Sequence, residues 1–482
     1  MSAITSPGTI YGVKGTKVLT SVVVVFHCAA LILLAGCQTT PTNFDHADAA
    51  SPAPARMKLA ESTPESATPP AGSAPVTKRP TPPPEKIDLV AITRDRETTV
   101  DPPAERRIAL LLPLSGRDAQ TGRALLDSAQ LALFEVADDD LQVLIFDTKG
   151  TPEGAEDAAR LAVAEGAQLI LGPLFGDSAA AVRSVTFEAG VNVVSFSNNK
   201  SIAGDGVYVI GFLPDQQIRR VISFAAHKGY GSFGALLPSN EYGELTMASA
   251  RKVLEESGKQ ITKVAYYDPD ETDHSALVRK FSNYDSRKSA LVRQRALLES
   301  RTDQISKKAL RRLANRDTLG DPSFEALLFP AGGRELMALA PLLAFYDVDP
   351  ARVRLLGAIQ WDETHGLTSE PALFGGWYAA PPPDTRYLFE EKFEKVYRRP
   401  PLRLASLGYD AMLLAVALSY GEGGPNYGAA ALTDARGFSG VDGIFRLLPN
   451  GANQRGLAVI EVTDRELRVI DPAPTSFTDL GL

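Results

Sequence analysis

The chain has 482 residues, a length that fits two globular lobes with extensions better than a single domain. Hydrophobic residues make up 44% and charged residues 22%, close to the globular average, so most of the chain should fold around a buried core. The net charge of −8 argues against a general nucleic-acid binder. Both cysteines, Cys28 and Cys37, lie near the start, which excludes a disulfide scaffold, a cysteine zinc site and a cysteine nucleophile from the folded part.

The start of the chain has the pattern of a bacterial lipoprotein signal. A basic stretch is followed by the largely apolar residues 18–34, and small residues then lead directly to Cys37. This order is typical of a cleaved lipobox rather than of ordinary signal cleavage. An uncleaved membrane-spanning helix is the alternative, because the apolar run is nearly long enough to span a bilayer. We expect a signal peptide over 1–36 and acylation of Cys37, and Gln38 favours the periplasmic side of the outer membrane.

Residues 37–105 predict a disordered linker that begins with the acylated cysteine. Thirteen prolines and one aromatic residue occur between 38 and 105, so this stretch cannot bury enough apolar surface to fold. As a coil it would span about 45 Å, and as extended polyproline roughly 200 Å. It is either an inert spacer or a tether that lets an anchored domain reach a partner through the cell-wall mesh, and its length and stiffness suit a tether.

From residue 106 the pattern alternates between strands and helices. The apolar run 107–114 is typical of a strand that is buried on both faces. The next predicted elements, in chain order, are helix 125–137, strand 141–146, helix 153–165, strand 169–172, helix 177–188 and strand 191–196. This βαβαβαβ order predicts a parallel sheet with right-handed crossovers and helices on both faces.

The same alternation then restarts. The predicted elements are helix 216–228, strand 233–237, helix 242–257, strand 261–267, strand 326–329, helix 335–346, strands 353–356 and 377–380, helices 387–397 and 406–420, and strands 443–448, 457–462 and 467–470. Two such sets with a late hairpin predict two doubly wound lobes. In open α/β sheets ligands bind outside the carboxyl ends of the strands, so a site is expected in the cleft between the lobes.

Four stretches resemble the type I periplasmic binding proteins of the leucine/isoleucine/valine-binding kind. They read IALLLPLSG at 108–116, LGPL at 171–174, NEYG at 240–243 and SALV at 275–278. The resemblance covers about 106–470. It implies an α/β fold of two doubly wound parallel-sheet lobes with a central cleft. We assign 106–213 and 358–442 to lobe 1, 214–357 and 443–471 to lobe 2, and 472–482 to a tail.

Two further stretches are similar to the penicillin-binding-protein activator lipoproteins, whose C-terminal domain has this fold without a transport role. They read APLLAFY at 340–346 and FSGVDGIFR at 438–446. The best-studied members carry a helical-repeat domain at the N-terminus, and the proline-rich segment stands in its place here. The resemblance implies a lipoprotein that binds and activates a bifunctional penicillin-binding protein and so regulates peptidoglycan synthesis. The alternative is the amino-acid receptor of an ABC importer.

The resemblance to amino-acid binders also implies a site for a zwitterion, with a hydroxyl and amides for the carboxylate and an acidic residue for the ammonium. Gly176 and Asn199 stand where such binders offer hydroxyls, so the carboxylate half is eroded. The candidate cleft residues are Ser115, Asp177, Ser178, Ser197, Asn198, Asn199, Tyr242 and Glu335. The plainer interpretation is structural: Asp177 and Ser178 as helix N-caps, Glu335 as a first-turn carboxylate, and the two asparagines as turn residues.

A basic helical insertion is predicted at about 282–321. Residues 277–316 hold twelve lysines and arginines but three acids, Asp285, Glu299 and Asp303. Leu291, Leu298 and Ile305 recur every seven residues and predict a narrow apolar stripe. The insertion is either a solvated hairpin resting on its own lobe or an arm that docks an acidic partner or an anionic polymer. The candidate docking residues are Arg293, Arg295, Arg301, Lys307 and Lys308.

Signals for catalysis are weak. Neither H-E-x-x-H nor G-x-S-x-G occurs in the sequence, and the acidic run Asp138-Asp139-Asp140 is typical of a turn that ends a helix. We therefore expect no enzyme activity, no cofactor and no metal. The expected partners are a penicillin-binding protein, the membrane through the lipid anchor and a small amphipathic ligand, but no nucleic acid.

Overall fold

A computed structural model describes residues 86–89, 106–136, 141–420 and 424–477, all within one compact unit, Arg79–Leu482. The signal peptide, Cys37 and nearly all of the predicted linker lie outside the described residues. None of the described helices is both long and apolar enough to cross a membrane.

The strands in chain order are β1 Ile87–Asp88, β2 Arg106–Leu112, β3 Leu141–Asp147, β4 Leu169–Leu171, β5 Asn192–Ser195, β6 Val207–Val209, β7 Ser232–Pro238, β8 Gln260–Tyr267, β9 Ala326–Leu328, β10 Arg354–Gly357, β11 Trp377–Ala380, β12 Phe438–Gly440, β13 Gly443–Leu447, β14 Asn453–Arg455, β15 Ala458–Val462 and β16 Leu467–Asp471.

The helices are α1 Ala119–Val136, α2 Pro152–Ala164, α3 Gly176–Ala189, α4 Pro214–His227, α5 Glu241–Glu256, α6 Ser275–Phe281, α7 Tyr284–Glu299, α8 Gln304–Leu313, α9 Gly333–Phe345, α10 Pro383–Tyr397, α11 Ala405–Leu418 and α12 Ala429–Leu432. Short 3-10 helices occur at Lys200–Ile202, Ile359–Trp361, Leu367–Ser369 and Pro371–Leu373.

Lobe 1 is built on a five-stranded parallel sheet in the order β3-β2-β4-β5-β6. The central strand β2 is buried on both faces from Ile108 to Leu112, as its continuous apolar run predicts. The last strand, β6, was missed in the sequence because a short 3-10 helix, Lys200–Ile202, separates it from β5 in place of the α-helix that the alternation leads one to expect.

Lobe 2 is built on a seven-stranded sheet in the order β16-β15-β11-β10-β9-β7-β8. The strands β7 to β11 pair in parallel, and β15 and β16 add an antiparallel hairpin at one edge. The predicted α/β architecture of two doubly wound lobes with a late hairpin is therefore confirmed.

The sheets correct the predicted lobe boundaries at two places. Residues 358–380 belong to lobe 2, because β11 pairs with β10 and β15, and the chain returns to lobe 1 only at the prolines 381–383. Residues 443–455 do not join lobe 2, because β13 and β14 pair with β12 in a separate four-stranded sheet. Both boundaries were placed at gaps between predicted strands, and such gaps do not reveal which sheet a strand joins.

The ends of the folded region also differ from the prediction. Ile87 and Asp88, assigned to the disordered linker, pair in parallel with β12, and Leu89 is fully buried. In the predicted tail, Phe477 is buried beneath the guanidinium of Arg446. Each segment is anchored by one or two apolar side chains, and such a signal is too short to stand out from a polar or proline-rich background.

Candidate functional site

A cleft lies between the lobes where the chain crosses from one sheet to the other. It encloses a cavity of about 360 Å³. The cavity is lined by residues from both lobes and from the first crossing, namely Asp118, Thr121, Leu174, Phe175, Phe196, Asn198, Phe212, Pro214, Gln217, Ile359, Gln360, Glu363 and Leu404. The first-lobe residues follow the carboxyl ends of β2, β4 and β5, the position expected for a ligand site in an open α/β sheet.

A buried tryptophan fixes the second-lobe wall of this cavity. The indole of Trp361 donates to the carbonyl oxygen of Phe329 at 3.1 Å, and its ring lies so close to Gly357 that a Cβ there would stand 2.3 Å from it. The backbone N–H of Ile359 donates to the side chain of Gln217 at 2.9 Å. These contacts hold the 3-10 helix Ile359–Trp361 against the hinge, and Glu363, two residues after Trp361, lines the cavity.

The predicted carboxylate half of an amino-acid site is not assembled in lobe 1. Asp177 is exposed, and Ser178 is buried with no hydrogen-bond partner for its hydroxyl among the described residues. Both lie inside the first turn of α3, whose N-cap is Phe175, so the alternative interpretation of the two as N-caps is wrong. Phe175 itself lines the cavity and makes no side-chain cap hydrogen bond.

Three neighbouring loop residues have structural partners. The hydroxyl of Ser197 accepts from the backbone N–H of Asn199 at 3.1 Å. The side chain of Asn199 in turn accepts from the N–H of Ser201 at 2.9 Å and caps a 3-10 helix. Asn198 is exposed and lines the cavity. The turn interpretation of Asn199 is therefore confirmed, and its side-chain oxygen is occupied by the cap.

Ser115 belongs to a different turn. Its backbone N–H donates to the carboxylate of Asp147 at 3.2 Å, and the N–H groups of Leu114 and Lys149 donate to the same oxygen at 2.9 and 2.8 Å. Slight burial would raise the pKa of Asp147, but these hydrogen bonds outweigh it and lower that pKa. Ser115 is exposed and does not line the cavity described above.

The second-lobe half of the predicted site is present but set back from the cavity. Burial raises the pKa of Tyr242 to about 12, and its hydroxyl lies beside Thr246 and Gln360. The buried oxygens of these three side chains have no hydrogen-bond partner in good geometry among the described residues. Glu335, in the first turn of α9, forms an ion pair of 3.2 Å with the neighbouring Arg334. Its charge also adds to the effect of burial in raising the pKa of Tyr267.

Of the eight predicted cleft residues, the structure thus places Asn198 alone in the cavity wall. Sequence reasoning missed the polar wall residues Asp118, Thr121, Gln217, Gln360 and Glu363. Asp118 could have been predicted as a wall residue, because it lies in the loop after the first predicted strand and directly before α1. Glu363 could not have been predicted as a wall residue, because its position depends on how Trp361 packs.

A buried ion network joins the lobes behind the cavity. Asp362 of lobe 2 forms ion pairs with Arg386 and with Arg403, the latter at 3.1 Å. Arg403 also contacts Asp442 at 2.9 Å, which accepts from the hydroxyl of Ser406 at 2.6 Å.

A second carboxyl group lies in the same network. Burial and the neighbouring charge of Asp442 raise the pKa of Asp410 to about 7. Burial opposes ionisation of Asp442 as well, but Arg403 and Arg455 outweigh it and lower the pKa of Asp442. Near neutral pH the pair therefore holds one firmly ionised carboxylate and one that titrates.

The basic insertion forms the helical hairpin of α7 and α8. Leu291 and Leu298 are buried, but Ile305 is 82% exposed, so the predicted stripe holds for two of its three residues. Ile305 lies in the first turn of α8, where the chain has already reversed and the seven-residue spacing no longer maps onto one face.

The five predicted docking residues divide into two groups. Arg293, Arg301, Lys307 and Lys308 are exposed. Arg295 instead donates to the carbonyl oxygens of Leu313, Ala314 and Arg316 at 2.5, 3.0 and 2.9 Å. It therefore caps the end of α8, and we remove it from the docking residues.

These features define a two-lobed binding-protein fold with a cleft at the hinge, and comparison with solved structures agrees. The fold is similar to a protein assigned to a branched-chain amino acid ABC transporter of Rhodospirillum rubrum (TM-score 0.59, 17% identity, 76% of this chain and 100% of that chain). It is also similar to a solute-binding protein of Rhodopseudomonas palustris BisB5 in complex with 3,4-dihydroxybenzoic acid (TM-score 0.55, 16% identity, 76% of this chain and 96% of that chain). A leucine-binding protein of Thermotoga maritima is similar with a TM-score of 0.52 and 17% identity, over 76% of this chain and 97% of that chain.

The family model described as Periplasmic binding protein matches residues 105–466, so the chain belongs to the periplasmic binding protein family. This membership indicates a periplasmic location. In sequence, the chain is 26% identical over 186 residues to an uncharacterised protein of Rickettsia prowazekii. That match spans 37% of this chain and 48% of the rickettsial protein.

Proposed function

We propose that the chain is a lipid-anchored periplasmic lipoprotein of the outer membrane that binds and activates a bifunctional penicillin-binding protein, and so regulates peptidoglycan synthesis without catalysis of its own. The observation that carries this proposal is the eroded carboxylate receptor in lobe 1. Gly176 lacks a hydroxyl, Asn199 is used as a cap, and the hydroxyl of Ser178 is buried away from the cavity. The fold thus keeps its two lobes without the first-lobe hydroxyl groups expected to hold the carboxylate of a free amino acid.

The mechanism we propose is differential binding. A protein that contacts the active state of the synthase more tightly than the inactive state shifts the population toward activity. No reacting group is needed on this chain for such an effect. The similarity of 340–346 and 438–446 to activator lipoproteins supports the same role.

The test is a glycan-polymerisation assay with the purified bifunctional penicillin-binding protein of the same organism. Adding the full chain should raise the polymerisation rate and shift its dependence on synthase concentration. A leucine-binding protein of the same fold, added at equal concentration, is the control and should change neither. No change in rate together with no measurable complex would refute the proposed function.

The second candidate is a solute receptor of an ABC importer, and the interlobe cavity favours it. Two acidic side chains, Asp118 and Glu363, line this cavity, and no lysine or arginine is among its described lining residues. Such a wall suits neutral or cationic solutes rather than carboxylates such as benzoates. We expect no leucine binding by titration calorimetry. Micromolar binding that is lost in Glu335→Ala would favour the importer instead.

A further inference from the structure

Lobe 2 carries a partly exposed surface of aromatic, apolar and basic side chains, here called the aromatic–basic surface, formed by Tyr284, Lys288, Val292, Phe345 and Tyr346. Tyr284, Lys288 and Val292 are spaced four residues apart on α7 and so share one helix face. Phe345 and Tyr346, at the end of α9, extend this face. Phe345 is 71% exposed and Val292 58% exposed, although both are large apolar side chains.

The aromatic rings form a connected group. The rings of Phe345 and Tyr346 are 5.1 Å apart, those of Tyr346 and Tyr284 are 5.3 Å apart, and both pairs pack edge-on. The ammonium of Lys288 lies 5.3 Å from the ring of Tyr284. Aromatic pairs in this geometry are favourable beyond their buried area, so the exposed rings are held in place by one another.

A buried clamp fixes α7 to the end of α9. Asp347 directly follows the two aromatic residues and has a φ of 59°, in the left-handed region that ends the helix. Its carboxylate pairs with Arg287 of α7 at 2.9 Å and with Arg352 at 2.8 Å, and it accepts from the hydroxyl of Thr318. Because Arg287 is buried, the two halves of the surface cannot separate without breaking this clamp.

The charge around the surface is strongly positive. The same hairpin carries the exposed residues Arg293, Arg301, Lys307 and Lys308, in the segment 277–316, which has nine more basic than acidic residues. Within that excess, Arg287 is buried in the clamp and Arg295 caps α8. An exposed charge excess of this kind contributes little to folding, because exposed ion pairs are worth about 0–1 kcal/mol. It does accelerate and orient association with a surface of opposite charge.

We propose that the aromatic–basic surface is the docking surface for a protein partner that presents an apolar pocket ringed by acidic side chains. Resting on the proposed function, that partner is the bifunctional penicillin-binding protein. Aromatic side chains are enriched in the cores of protein–protein interfaces, and a few such residues contribute most of the binding energy. Phe345 enters the pocket, and Lys288 faces its acidic rim. The preformed ring cluster limits the entropy lost on binding.

The test is surface plasmon resonance of the full chain in detergent against the purified synthase, at two salt concentrations. Phe345→Ala should weaken binding at least tenfold, mainly through faster dissociation. Lys288→Glu with Arg293→Glu should slow association at low salt and reduce its salt dependence. The matched controls are Phe187→Ala and Lys395→Glu, an exposed aromatic and an exposed lysine of lobe 1, which should stay within twofold of the wild type.

The outcomes separate this inference from the proposed function. A wild-type chain that does not bind the synthase refutes both. A wild-type chain that binds while Phe345→Ala binds equally well, with an unchanged melting temperature, overturns the docking surface alone. Protection of α7 from hydrogen exchange in phosphatidylglycerol vesicles without the synthase would assign the surface to the membrane and also overturn it.

Discussion

Arg403 is the side chain on which the ion network between the lobes depends, and its removal should measurably destabilise the protein. Arg403→Met keeps an apolar stem of similar length but leaves Asp362 and Asp442, both buried, without one of their cations. Breaking a buried pair costs about 3–5 kcal/mol. We expect about 3 kcal/mol, the lower end, because Asp362 keeps Arg386 and Asp442 keeps the influence of Arg455.

That free energy converts to a shift in melting temperature. About 370 described residues at roughly 2.1 cal/mol/K each give an unfolding entropy near 0.8 kcal/mol/K, so a loss of about 3 kcal/mol lowers Tm by about 4 °C. The assay is differential scanning calorimetry at pH 7. Arg399→Met, which removes a 43% exposed arginine paired with Asp127, is the matched control and should cost about 1 °C or less. A Tm within 1 °C of the wild type for Arg403→Met would show that the network adds no net stability.

Three further predictions follow from single side chains. Asp410 keeps its proton to about pH 7 in the folded state but loses it near pH 4 when unfolded, so the stability of the wild type falls as pH rises through that window. The Tm of Asp410→Asn should therefore rise relative to that of the wild type between about pH 4 and 7, and an unchanged difference would contradict this. Arg295→Gln should lose about 1–2 kcal/mol in calorimetry, whereas Arg293→Gln should lose almost nothing, because only the former caps α8. Cys37→Ala should lose globomycin-sensitive processing, and a mature lipid-modified form in the outer membrane fraction would contradict the lipobox.

The fold could be predicted from the sequence where each element repeats a strong periodic signal. Strand β2 is a continuous apolar run, which predicts a buried strand. The regular alternation of strands and helices predicts a doubly wound sheet. Strands β6 and β14 were missed, whereas the equally short β4 and β9 were predicted from their apolar runs beside α-helices. Strand β14 reads NQR and has no apolar run, and β6 follows a 3-10 helix rather than an α-helix. Their positions are set by tertiary contacts: the side chain of Asn453 donates to the carbonyl oxygens of Val209 and Gly211 at 3.0 and 2.8 Å.

The site was harder to predict because its wall depends on packing rather than on motifs. The resemblance to amino-acid binders located Asn199 and Tyr242 near the cleft, but it could not show that the first caps a helix and that the hydroxyl of the second is buried. Glu363 reaches the cavity only because Trp361 packs against Gly357. No sequence spacing encodes that contact.

The aromatic–basic surface could not be predicted from the sequence either, because its residues come from segments that are far apart in the chain. Tyr284 and Tyr346 lie 62 positions apart in the sequence, and no periodic pattern connects them, yet their rings are in contact. What joins them is Asp347, whose carboxylate reaches Arg287 one turn beyond Tyr284. The basic charge of the hairpin could be counted in the sequence, but the sequence did not show which face of the hairpin lies beside the aromatic rings. The clamp of Asp347 and Arg287 fixes which face of α7 lies beside Phe345. The basic residues of α7 are therefore held at a defined position relative to the aromatic rings. A partner that recognises this chain by charge alone would tolerate substitution of any exposed cation equally, whereas a partner that uses this surface must respond most strongly to the residues nearest the rings.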